Sequence, residues 1–201
     1  MAICNGTREM MPSFSILPNR FRWPRTPQVG LTDLSVVAFL VGVDVAARLL
    51  PHAPDFTPVA ATALFAASTL RLRALSPLVP FAGMLLGDAA LGFYDWRVMT
   101  AVYGMLALPA IVACLSSRLR RPAMVVPVLL SSSLAFFLVA NFAVWAFSPL
   151  YPASAAGLSK CYIAALPFLR NMIAGDLFWW LVLFGSYRLL QAARTPSAAL
   201  A

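Results

Sequence analysis

The chain has 201 residues, 61% apolar and 11% charged, with a mean hydropathy of +0.82 and a formal charge of +8. A soluble domain carries about a quarter charged residues, so this composition excludes a water-soluble globule. Continuous apolar runs exclude an outer-membrane barrel, which would alternate, and basic residues that flank those runs exclude nucleic acid as a partner.

Residues 1–29 carry Arg8, Arg20, Arg22 and Arg25 among Pro12, Pro18, Pro24 and Pro27. They lack an apolar core of signal-peptide length and read as a disordered basic cytoplasmic arm, with Met10 or Met11 as alternative starts. Six apolar stretches follow, at 31–50, 56–71, 75–92, 98–117, 123–148 and 171–190. Crossing a bilayer core takes about 20 helical residues; the second stretch is short, at about 24 Å as a helix. The expected fold is an all-α polytopic membrane protein. It has a six-helix transmembrane domain over 30–192, a flexible tail at 193–201, and the lipid bilayer as its first partner.

Basic residues fix the orientation. The arm, the 71–75 gap, the 117–122 gap and the tail hold eleven Arg, against Arg97, Lys160 and Arg170 on the other side. Positive residues stay cytoplasmic in short loops, so both termini are expected inside. The 50–56, 92–98 and 148–171 loops then face outward, and they hold most of the loop aromatics. An interfacial aromatic belt accounts for about half of those residues.

Ionisable groups within spans are expensive and usually face a bundle interior or a wet cavity. Here they are Asp33, Asp44, Arg48, Asp88 and Asp176, with Asn141 as the notable neutral polar group. Asp33 sits at a helix start, as an N-cap or interface residue. Asp44, Asp88, Asn141 and Asp176 fall within about 7–11 Å of the outer surface, counted at 1.5 Å per residue. Four helices thus direct polar groups into one layer. Each also has a plainer reading: Asp44 and Arg48 as an i,i+4 pair, Asp88 and Asn141 as interhelical glue, Asp176 as a helix-dipole partner.

The 148–171 loop is long enough to be a lid, with Ala153–Phe168 expected as a short amphipathic or re-entrant helix broken before Pro167. Cys4, Cys114 and Cys161 are too scattered for a disulfide framework or a metal site. With one His and no phosphate loop or nucleophile–base motif, no enzymatic activity, cofactor or metal is expected.

Two blocks are specific enough to compare with known families: RLLPHAPDFTP at 48–58 and CYIAALPFLRN at 161–171. With Gly87-Asp88, Asn141, Trp145 and Gly175-Asp176, the series over about residues 35–186 resembles an uncharacterised family of small bacterial six-helix membrane proteins. That family is similar to the substrate-binding S-components of energy-coupling-factor (ECF) vitamin transporters. The chain departs from it with Asp55 where Asn is expected and Ala66-Ala67 where Gly is common. The cobalt-ligating Cys motif of the solitary cobalamin-transporting members is absent from the 92–98 loop.

The resemblance implies a substrate-binding subunit in a bacterial inner membrane, taking up a vitamin-like molecule through an outward pocket. A transmembrane coupling subunit and ATPases are its implied partners, with Ala63-xxx-Ala67 and Gly83-xxx-Gly87 as packing steps. Asp88, Asn141, Trp145, Tyr162, Arg170, Asn171 and Asp176 are the expected pocket lining. His52, Asp55, Phe56, Tyr94 and Trp96 are expected at its rim, the aromatics stacking on a flat or macrocyclic body. The alternative is a structural or assembly subunit with no ligand.

Overall fold

The computed structural model describes residues 31–115 and 122–194. The expected arm, most of the tail and Arg118, Arg120 and Arg121 lie outside these. Six α-helices run in order: α1 Leu31–Leu49, α2 Val59–Thr69, α3 Leu78–Leu91, α4 Trp96–Leu115, α5 Pro122–Phe147 and α6 Ala155–Arg194, with a 3-10 turn at Arg73–Leu75. No strand occurs among the described residues.

Four helical segments are long and apolar enough to cross a membrane: α3 with its preceding turn, α4, α5 and α6. α1 has 19 residues but includes Asp33, Asp44 and Arg48. α2 has only 11 residues, about 16 Å of helix against a hydrocarbon core of about 30 Å. The link before it contains Pro51, Pro54 and Pro58, which lack the N–H a helix needs, so residues 50–58 run as non-helical chain.

α2 touches each of the other five helices. It can do so because its surface is small and apolar all round: Ala61, Ala63, Ala66 and Ala67 are fully buried. Leu40 of α1, Leu64 of α2 and Leu129 of α5 complete the centre. Large apolar side chains instead face outward, among them Phe39, Leu85, Leu134, Phe178 and Leu181. Small residues inside and bulky ones outside suit a bundle whose solvent is lipid.

The last helix departs from expectation. Residues 155–170 are not loop or a separate re-entrant helix; α6 runs unbroken for 40 residues through Pro167. That is about 60 Å, twice a hydrocarbon core. The Ala, Leu and Lys residues before Pro167 favour helix strongly, and a single missing N–H does not end a packed helix. The true α5–α6 link is residues 148–154, so Lys160 and Arg170 lie on a helix.

Candidate functional site

The expected Asp44–Arg48 pair does not form. Arg48 crosses to α3, where its Nη2 donates to Asp88 Oδ1 at 2.5 Å and its Nη1 lies 2.9 Å from Met84 Sδ. Tyr103 on α4 donates its hydroxyl to Asp88 Oδ2 at 2.8 Å. Asp44 instead accepts from Thr62 on α2, at 3.0 Å to each carboxylate oxygen. Both acids are buried, with Asp88 1% exposed.

Glycines make this crossing possible. A Cβ on Gly83 would stand 2.6 Å from Asp44 Cβ, and one on Gly87 would stand 2.5 Å from Arg48 Nε. This step therefore sets the α1–α3 distance inside the bundle. Ala63 and Ala67 are also fully buried. Both small-xxx-small steps are thus buried within the bundle.

The non-helical link turns back into the bundle. Asp55 takes a positive φ of 61°, a left-handed conformation that Asp tolerates better than most residues. The following Phe56 and Thr57 backbone lies against Gly175 in the middle of α6, where a Cβ would come within 3.0 Å of Phe56 Cα. Asn171 Nδ2 donates to Pro54 O at 3.1 Å, and Phe56 packs on Phe178 with ring centroids 5.6 Å apart.

Beneath this link is a cavity. Its polar wall comprises Asp55 and Thr57 from the link, Arg48 from α1, Ser132 and Ser133 from α5, and Asp176 from α6. Its apolar wall includes Met84, Met105, Phe136 and Met172. The cleft encloses about 580 Å³, open mouth included, a size that suits a small molecule. Asp176 is 2% exposed, and the Ser133 hydroxyl donates to its Oδ2. Asp55 is exposed at the mouth, yet the surrounding wall pushes its carboxyl above the ordinary value, with Arg48 and then His52 partly offsetting the shift. Tyr94, in the α3–α4 link, is raised by burial and by the nearby Asp88.

Of the twelve sequence-expected site residues, Asp55 and Asp176 line this cavity, while Phe56 and Asn171 brace its wall. Asp88 acts one step back, through Arg48. The others lie elsewhere. Asn141 donates to Phe137 O on its own helix, Trp145 Nε1 to Pro152 O, and Tyr162 OH to Leu138 O, all three on the α5–α6 hairpin. Arg170, His52, Tyr94 and Trp96 are exposed, with His52 Nδ1 2.7 Å from Leu50 O. Arg97 covers the Trp96 and Phe147 rings at 5.6 Å. Counting along α5 did not indicate which side of the helix Asn141 occupies. The missed wall residues Thr57, Ser132 and Ser133 are uncharged; the available signals were Thr57's place in the RLLPHAPDFTP block and the run Ser131-Ser132-Ser133 in an apolar stretch.

No curated protein and no solved structure matches the chain. A family model does match, over residues 30–198, and its family is described as one of unknown function. That match covers all six helices and every residue of the cavity wall, so the chain belongs to this family, DUF6580.

Proposed function

We propose that this chain is a membrane-embedded small-molecule-binding protein of the transport type, similar in role to an S-component. It sits in a bacterial inner membrane as a six-helix bundle with both termini cytoplasmic, and its cavity opens outward. The observation that carries this reading is the cavity under the 50–58 link. Irregular backbone at membrane depth is tolerated where it is buried in protein or lines a wet cavity, and here it contributes Asp55 and Thr57 to the wall. A buried intramembrane carboxylate such as Asp176 is a functional candidate by default.

The α5–α6 hairpin, with Trp145 and Tyr162 bonded across it, stiffens the outer end. The small size of the cavity favours a short ligand or a portion of a longer one. A second reading, an assembly subunit without ligand, is favoured by the Arg48–Asp88–Tyr103 and Asp44–Thr62 contacts, which only join helices.

Mass spectrometry of small molecules carried through purification in mild detergent separates the two. The binding reading expects a species retained by the native chain and depleted in Asp176→Asn, with both proteins folded by melting and gel filtration. Identical small-molecule content in the two would contradict it.

A further inference from the structure

We propose that the cavity selects a small organic cation, a primary ammonium on a short apolar body, with the ammonium held at Asp176. This rests on the binding reading above and names the ligand class.

The first argument is the charge of the wall. Asp55 and Asp176 both line it, and among the described residues its one basic group is Arg48. That guanidinium is already engaged by a third carboxylate, Asp88, at 2.5 Å. Asp55, exposed at the mouth, has Arg48 and His52 nearby, whereas the buried Asp176 has no cation paired with it among the described residues, so a ligand bringing positive charge is favoured there.

The second argument is hydrogen-bond capacity. Among the described residues the Asp176 carboxylate accepts from the Ser133 hydroxyl alone, so a group with room for several bonds lines the cavity with capacity unused. An ammonium supplies three donors and no acceptor, which matches that capacity.

The third argument is the apolar side. Met84, Met105 and Met172 present polarizable thioethers, and Phe136 presents a ring. Such a lining suits a flexible alkyl body and a nearby cation. The cleft, about 580 Å³ with its open mouth, suits a short body.

The test uses the full chain in mild detergent with three chain-matched probes, n-butylammonium, n-butanol and butyrate, at equal ionic strength set with sodium chloride. Thermal melting is read alongside the rate at which a small methanethiosulfonate, inert to all three probes, labels Thr57→Cys in the cavity wall of a chain with Cys4, Cys114 and Cys161 replaced, followed by peptide mass spectrometry. Butylammonium is expected to raise the melting temperature saturably and to slow labelling at position 57, with neither effect from the other two. Asp176→Asn should lose the shift and Asn141→Ala, outside the cavity, should keep it. If Asp176→Asn fails to fold, protection at position 57 decides. Equal or stronger protection by butanol or butyrate overturns the cation inference and leaves the cavity reading standing. No shift and no protection by any probe overturns both.

Discussion

Replacing Asp88 by Leu removes the carboxylate that joins three helices. Asp88 is 1% exposed and its partner Arg48 20%, so the guanidinium would be left largely desolvated. Breaking a buried pair from one side destabilises by about 3–5 kcal/mol. The one-fifth of Arg48 that reaches solvent lets water take up part of that, which puts the loss near the lower end. The Tyr103 hydroxyl, bonded at 2.8 Å, also loses its acceptor, adding about 1 kcal/mol. Asp88→Leu should therefore lose about 3–4 kcal/mol, and Arg48→Met a similar amount because it strands the carboxylate. The double variant should return to within about 1 kcal/mol of the native chain, since neither charge then needs desolvating. Tyr103→Phe should lose only about 1 kcal/mol. Reversible unfolding in mixed micelles measures all four. Losses below about 1 kcal/mol in both single variants, or a double variant that loses their sum, would refute the interhelical pair as described.

Gly83→Ala should destabilise by about 1–3 kcal/mol as an overpacked core does, because the obstructing atom is the Asp44 Cβ at 2.6 Å, which cannot move without its helix; a melt unchanged from the native chain would contradict the close α1–α3 contact. Gly175→Ala meets Phe56 and Thr57 backbone at 3.0–3.2 Å. It should lower stability less than Gly83→Ala but loosen the 50–58 link, read as faster amide exchange at Phe56 and Thr57. Asp55 has a folded pKa raised by burial, so the folded state holds its proton more tightly than the unfolded one. Its contribution favours folding below the unfolded pKa and is lost as pH rises through the folded value. Asp55→Asn should abolish that decline, so its melting temperature gains on the native chain between pH 4 and pH 7; a constant difference across that range would refute the shift.

Much of the scaffold was legible because hydropathy and chain length dictate it. Long apolar stretches became helices, and Pro51, Pro54 and Pro58 delayed the start of α2. That Asp44, Asp88 and Asp176 are buried was legible too, since ionisable groups within apolar stretches turn inward. What counting cannot supply is rotation about the helix axis and partner choice across 40 residues of chain. Asp44 and Arg48 share a helix turn, yet two glycines on α3 bring Asp88 closer to the guanidinium than its own neighbour. Asn141 bonds within α5. The length of α6 escaped detection because Pro167, Lys160 and Arg170 mark a loop by local rules, whereas packing on α5 through Cys161 and Tyr162 keeps the segment helical. Much of the cavity wall is Ser, Thr, Met and other uncharged residues, types that announce nothing until the fold brings them together.

The central claim is a water-accessible cavity beneath the 50–58 link that opens to the outer side. Cysteine accessibility at Thr57 tests it most directly. In a chain with Cys4, Cys114 and Cys161 replaced, Thr57→Cys in oriented vesicles should react with a membrane-impermeant thiol reagent added outside, while Leu64→Cys in the packed centre should not. Thr57→Cys that resists the reagent, or reacts only from the cytoplasmic side, would contradict the account.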